Sequence, residues 1–471
     1  MGHITQCNGR ETGCLDARPS PRFPAAPRRG ADREVTHGFR PRPERPRGSG
    51  SRLTAGGQVV CNFSATARRQ ATNSLVDVEK RRRPRIALAA VTAAVLLLVG
   101  GLVGALVGRS GDDGAASTAQ RGSAAPSAGD VPEALDGLAD ETVSGAGSAF
   151  LAEYVRDDGR VVRPDQGGDT VSEGQAYAML VAAGLGDADT FDAVWTWTRD
   201  ALQRPDGLLS WRWADGRVAD QSSASDADLD AARALVVAGE RFDRSAYTAA
   251  GVALGQAVLD LETVQTSAGR ILTAGQWATT EPYAYNPSYA SPGAVAVLAG
   301  VSGDPRWAEL ETGSRAVTAA LLAEAPLPPD WAQVHADGSV DAMPGAQGRG
   351  SSVRYGYDAA RTPIRYAESC DPADRALAAA MLAPLDRGGD AAELDLGGSP
   401  LGTGESVVAA TGQAAAVAAT GDLARALDEL GDGNRLAQAQ PSYYGVAWAA
   451  LGRMMLTGDA LGGCPPVPAV R

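Results

Sequence analysis

The chain has 471 residues and a formal charge of −13 at pH 7, long enough for a large buried core and more than one region. The charge is unevenly spread. Residues 1–85 hold 18 Lys+Arg against 7 Asp+Glu, a net of +11, which leaves −24 for the rest. A body this acidic repels a polyphosphate backbone, so nucleic acid is excluded as a partner; a neutral or cationic polymer is not.

Residues 1–85 are rich in Arg, Pro and Gly without apolar periodicity, and are predicted to be a disordered cytoplasmic segment. An alternative is that much of it is untranslated, since secretory segments begin a few residues before their basic cluster, here near Val76. Residues 86–108, IALAAVTAAVLLLVGGLVGALVG, carry no charge. At ~1.5 Å per residue they would span a bilayer core of about 30 Å. Arg81, Arg82, Arg83 and Arg85 precede them, which puts the N-terminus in the cytoplasm and the bulk of the chain outside. The run exceeds the ~7–15 apolar residues of a cleaved signal peptide. The expectation is a single-pass signal anchor in the cell membrane, with a secreted body as the outcome of cleavage. Residues 109–140, of Gly, Ala, Ser, Asp and Pro, read as a flexible linker.

The folded body is expected over 141–462, followed by a C-terminal tail at 463–471. Apolar residues recur at helical spacing over 173–185, 189–203, 226–242, 245–260, 288–302, 305–324, 363–382, 405–419, 421–430 and 442–456, while strand-like alternation is scarce. An all-α domain of eleven or twelve helices follows. Several aromatics fall outside these helices, among them Trp211, Trp213, Trp277, Trp331, Tyr355 and Tyr357, where they more often line a cleft than fill a core. Only Cys370 and Cys464 lie beyond the apolar run; they are either one disulfide or two free thiols. His335 is the sole histidine there, and no Cys/His metal spacing exists. A Ser-His-Asp triad and a His-ligated metal are therefore excluded, and no metal or cofactor is expected.

Four stretches could carry chemistry. In TVSEGQAYAMLVAAGL, Ser172 and Gln175 read as a capping box that puts Glu173 in a first helical turn. The helix dipole there favours a charged carboxyl, so a proton donor at this place needs burial or a neighbouring acid to raise its pKa. In QSSASDADLDAARAL, Ser225 reads as a cap before Asp226, Asp228 and Asp230. Propensity explains one or two of these acids, but three together add repulsion. If both helices line one cavity, Glu173 and Asp226 meet at its mouth. In RYGYDAARTPIRYAES, Thr362-Pro363 reads as a helix start, leaving Asp358 and Arg361 in the preceding loop. AYNPSYASP, residues 284–292, reads as a turn.

In this order and spacing the stretches resemble glycoside hydrolase family 8. ASDADLDAARALVVAGERF is similar to a conserved family segment, with Ala231 where Ile or Met is usual. SEGQAYAM is similar to the motif whose glutamate is the family's general acid. NPSYASP, YDAARTP and PPDWAQVHADGSV (328–340) also resemble family motifs, and the likeness covers about residues 141–457. It is nearest in flavour to the cellulase that accompanies bacterial cellulose synthase. The resemblance implies an (α/α)6 barrel with a cleft across the N-terminal ends of its inner helices, and inverting hydrolysis of β-1,4-linked glycans without a cofactor. It assigns Glu173 as general acid, Asp358 as general base, and Asp226 as the acid that holds the sugar and tunes Glu173. Inverting carboxyls lie roughly 6.5–9.5 Å apart to admit a water. Asp228 would support the site, Arg361 would orient Asp358, and Tyr177, Tyr289 and Tyr357 would hold water or sugar. Trp211, Trp213, Trp331, Tyr443 and Tyr444 are candidates for stacking on sugar rings. The implied partners are a β-1,4-linked polysaccharide and a cellulose-synthesis complex. Chitosanase or xylanase activity, or a non-catalytic glycan-binding or assembly role, are the alternatives. The three carboxylates argue against the last, and the acidic body with its lone histidine argues against a polysaccharide lyase.

Overall fold

A computed structural model describes residues 133–467. The segments predicted as disordered and as a membrane anchor, 1–85 and 86–108, lie outside the described residues, as does the linker up to 132. Among the described residues no helix is long and apolar enough to cross a membrane.

Thirteen α-helices form among these residues. In chain order they are α1 (Val143–Tyr154), α2 (Ser172–Leu185), α3 (Ala188–Ala201), α4 (Ser225–Arg241), α5 (Ser245–Leu261), α6 (Pro292–Ser302) and α7 (Arg306–Glu324). There follow α8 (Arg361–Ala367), α9 (Pro372–Ala380), α10 (Leu382–Gly388), α11 (Val407–Ala419), α12 (Leu423–Ala439) and α13 (Tyr443–Thr457). Burial sorts them into two layers. Almost every residue of α2, α4, α8, α11 and α13 is buried, whereas α3, α5, α7 and α12 bury one face only. With α6, the buried helices make a closed ring: α2 packs on α4, α4 on α6, α6 on α8, α8 on α11, α11 on α13, and α13 back on α2. Outer helices join successive inner ones, α1 standing before the first of them, and the connection from α8 to α11 is split between α9 and α10. This is the arrangement of an (α/α)6 barrel.

The inner helices are built of small residues because each has neighbours on several sides. A Cβ at Gly412 would sit 2.4 Å from the Ala360 carbonyl oxygen, and one at Gly452 would sit 2.1 Å from the Thr411 methyl. Only glycine lets the backbones approach this closely.

Across the barrel, α4 and α8 are joined by three ion pairs. Asp226 meets Arg361 at 2.7 Å, Asp230 meets Arg365 through both guanidinium nitrogens, and Arg233 meets Glu368 in a fork at 2.8 and 2.7 Å. Spacings of four and then three residues keep each set on one helix face. All six side chains are almost wholly buried. In so dry a place each charge needs its partner, since an unpaired buried ion is strongly destabilising. On α6, a Cβ at Gly293 would lie 2.9 Å from the Arg233–Glu368 pair, so the absent side chain makes room for it.

Several expectations are corrected. The body is not purely helical. Three small antiparallel sheets stand in its loops: β1 (Thr170–Val171) with β2 (Arg212–Ala214) and β3 (Arg217–Asp220); β4 (Thr263–Thr266) with β5 (Gly269–Leu272); and β6 (Tyr283–Tyr285) with β7 (Trp331–Val334) and β8 (Val340–Met343). None exceeds four residues, too few for alternation to register. α1 was not foreseen; its two glycines weaken the helical signal, and Thr142 caps it by accepting from the Gly145 N–H at 2.9 Å. The single helix expected over 363–382 is broken after α8, where Asp371 caps a new helix with Pro372 in its first turn. The linker ends sooner than 140, because Glu133–Asp140 forms a 3₁₀ helix whose Leu135 and Leu138 are fully buried. The described part of the C-terminal segment is tied to the barrel. The Leu461 carbonyl accepts from Arg233 Nε, the Cys464 N–H donates to the Glu368 carbonyl, and Val467 is buried.

Cys370 and Cys464 form a disulfide that closes a separation of 94 residues, settling the question the sequence left open. It fastens the C-terminal segment beneath the Arg233–Glu368 pair. Cys464→Ser is expected to lower the free energy of unfolding by about 2–4 kcal/mol, read by denaturant titration of the oxidised protein. An unchanged midpoint would show that the bond carries no stability.

Candidate active site

The N-terminal ends of the inner helices open into one cleft. Two cavities, of about 580 and 590 Å³, meet there, and Glu173, Tyr289 and Asp358 line both. One half is bordered by Tyr177, Tyr357, Arg361, Tyr443 and Tyr444, the other by Trp211, Trp277 and Trp331.

Glu173 is the second residue of α2. β1 runs straight into this helix and pairs with β2, and the Ser172 N–H donates to the Trp211 carbonyl at 2.8 Å. That pairing brings the Trp211 indole to Glu173, where Nε1–H donates to Oε1 at 3.1 Å. The expected capping box does not form. Val171 is the cap residue, and Gln175 turns inward, accepting from the Val161 N–H at 2.6 Å and donating to Thr198 Oγ1 at 2.8 Å. Ser225 is likewise not a cap; its hydroxyl donates to the Thr273 carbonyl. The predicted helix starts hold to within a residue even so, because strand geometry and burial set them.

Asp358 lies in the turn that enters α8. Its Oδ1 accepts from Arg361 at 2.7 Å and its Oδ2 from the Trp331 indole at 3.2 Å. Arg361 is the first residue of α8 rather than a loop residue. Its guanidinium reaches Asp358, Asp226 and the Tyr177 hydroxyl, and lies 5.4 Å from the centre of the Tyr289 ring.

Three carboxyls therefore gather near one buried cation, which bonds two of them directly. Burial pushes the Glu173 carboxyl up to about 7, and the Asp226 charge pushes in the same direction. Asp226 and Asp358 are also raised by burial, but Arg361 is the largest influence pulling each back. Of the three, Glu173 is the acid that Arg361 helps least, which favours a proton there.

The other predicted residues divide. Tyr177, Tyr289, Tyr357, Tyr443, Tyr444, Trp211 and Trp331 all line the cleft, though Trp211 and Trp331 also commit their indoles to the two acids. Tyr444 donates to the Tyr357 carbonyl at 2.9 Å. Trp213 lines neither cavity; it packs edge-on against Trp197. Asp228 does not reach the cleft either, being fully buried with Oδ1 accepting from the Leu209 N–H at 2.8 Å. Asp226 is 3 % exposed and lines neither cavity, so its place favours action on Glu173 over contact with a sugar. Trp277 lines the cleft but was not singled out as a site residue. Its signal is an indole in the short loop after β5, and the structure leaves it 36 % exposed.

A helical toroid with carboxyls facing one another across its cleft defines a class of glycan-hydrolysing proteins. A model of glycosyl hydrolases family 8 matches residues 138–457, and the chain belongs to this family. A probable endoglucanase from Novacetimonas hansenii is 36% identical over 236 residues, covering 48% of this chain and 68% of that one. An endoglucanase from Cellulomonas uda is 30% identical over 237 residues, covering 49% and 64%. Among solved structures, the endo-β-1,4-glucanase from Acetobacter xylinum is 27% identical, covers 68% of this chain and 98% of its own, and superposes with a TM-score of 0.54.

The raised Glu173 carboxyl has a consequence for stability. The folded protein holds this proton up to about pH 7, whereas the unfolded chain releases it near 4.5. The stability contributed by the protonated form is thus present below about 4.5 and lost as pH rises to about 7. Glu173→Gln mimics the protonated acid. Its melting temperature should match the wild type at pH 4 and exceed it at pH 8; an equal margin at both would show that the pKa is not raised.

Proposed function

We propose that this chain is an inverting, endo-acting glycoside hydrolase that cleaves β-1,4-glucan of the cellulose type. The observation that carries this reading is the pair Glu173 and Asp358 at the junction of the two cavities, one raised toward neutrality and one held by a cation. The family and the endoglucanase relatives support the substrate class.

In this reading Glu173 gives its proton to the glycosidic oxygen as the bond to the anomeric carbon breaks. A water on the opposite face attacks that carbon and passes its proton to Asp358. Asp226 acts from below, its charge keeping Glu173 protonated. Arg361 keeps Asp358 ionised and turned toward the water. The tryptophans of one half of the cleft and the tyrosines of the other offer flat surfaces to successive sugar rings. An open cleft extending to both sides of the acids suits cutting within a chain rather than at its end.

The segment 86–108 supports a location as well as an activity. Its length and basic flank fit an anchor that holds the hydrolase outside the membrane. There it would meet glucan leaving the cell beside a cellulose-synthesis complex.

Glu173→Gln should lower turnover on carboxymethyl-cellulose at least about 10²-fold while glycan binding persists. The wild-type alkaline limb of kcat/KM should fall near pH 7, where Glu173 loses its proton. NMR of the first product should show the α-anomer. A β-anomer would overturn inversion, and cleavage of chitosan or xylan alone would overturn the substrate.

A further inference from the structure

Pro328, Pro329 and Asp330 have no part in the reaction as described, yet Asp330, with Trp331 beside it, grips the turn that carries Asp358. Asp330 Oδ1 accepts from the N–H groups of Gly356 and Ala359, each at 2.9 Å, so it holds the backbone on both sides of Asp358. The Asp330 N–H donates to the Arg354 carbonyl at 2.8 Å. One residue on, the Trp331 indole donates to Asp358 itself. These partners lie 24–29 residues away in sequence, so this is not an aspartate closing its own local turn.

The surroundings are shaped for this contact. A Cβ at Gly356 would come within 2.7 Å of Asp330 Oδ2, so only glycine lets the carboxylate close on the turn. Trp331 opens β7, the central strand of its sheet, which makes the support rigid. On its far side the turn is tied by Tyr355, which exchanges two backbone hydrogen bonds with Leu394.

We propose that Asp330 is a positioning residue for the general base: its carboxylate splints the turn bearing Asp358 and, with the Trp331 indole, fixes the height and rotation of that side chain. This rests on the reading of Asp358 as the base. A base that must meet a water on one face of a sugar ring tolerates little drift, and a displacement of about 1 Å costs on the order of 10²-fold in rate.

Asp330 also acts through space. Burial raises the Asp358 carboxyl, Arg361 pulls it back, and the Asp330 charge pushes it up again. Asp226, Tyr289 and Tyr444 are the other titratable groups that face Asp358. Asp330 itself is faced by Arg354 and Tyr355. Removing the Asp330 charge alone therefore makes Asp358 a weaker base.

Two variants of the full chain separate splint from charge. Asp330→Ala removes both, and should lower kcat at least about tenfold with KM within about threefold. Asp330→Asn keeps an oxygen to accept from Gly356 and Ala359. It should retain most of kcat while moving the acid limb of kcat/KM to lower pH and leaving the alkaline limb in place. A folded Asp330→Ala with wild-type kcat would overturn the splint. An acid limb unmoved in Asp330→Asn, which reports even if the alanine variant does not fold, would overturn the coupling to Asp358. Wild-type turnover in Asp358→Asn would instead remove the base assignment beneath the proposal, so the two failures are distinct.

Discussion

The buried contact of Arg361 with Asp226 and Asp358 is the constraint on which the rest of the site depends. One cation among three carboxyls leaves a surplus negative charge in a dry cleft. Keeping one proton cuts that surplus from two charges to one, and the position of the guanidinium influences where it sits. Asp226 and Asp358 each take a 2.7 Å hydrogen bond from it, while Glu173 takes one only from the neutral Trp211 indole and a longer one from Ser172. In the proposed reading, acid and base are thus distinguished by geometry before any substrate arrives.

Arg361 can be buried there because it is the top rung of a stack. Below it Arg365 and Glu368 meet Asp230 and Arg233. Replacing such pairs with apolar residues can leave a protein as stable or more so. Their value is more readily understood as holding α4 and α8 at one separation, so that the cation at the cleft floor has nowhere to drift. The small residues of α6, between these helices, and the disulfide under the lowest rung serve the same end.

Much of this was legible in the sequence. Helix positions followed from Ala/Leu spacing, and the site followed from motif order. What failed did so for physical reasons. Ser172 and Ser225 look like caps, but β1 and the Thr273 carbonyl claim those places. The strands are too short to alternate visibly. Trp213 follows Trp211 by two residues, which strand alternation would put on the same face, but the ladder slips between Arg212 and Trp213; Asp228 follows Asp226 by two, and rotation around the helix turns it away from the cleft. The splint by Asp330 joins residues up to 29 apart, and the α4–α8 pairs join residues 135 apart. The latter did leave a trace: Asp-x3-Asp-x2-Arg in one stretch is answered by Arg-x3-Arg-x2-Glu in the other. Read together, those complementary patterns foretell three contacts that neither stretch announces alone.

The order of signs in those patterns matters as much as their spacing. Two acids and then a base face two bases and then an acid. Slide α8 by one turn along α4 in one direction and Arg365 comes opposite Arg233; slide it in the other and Glu368 comes opposite Asp230. Either slip sets like charges together in a place without water to screen them. Only one alignment satisfies every rung, so the stack works as a vernier. A uniform series of acids against bases would bind as firmly and still tolerate a shift of about 5.4 Å, the pitch of a turn. With the mixed series, the height of Asp358 over Asp226 is set by a pairing code that reaches about two turns beneath the cleft.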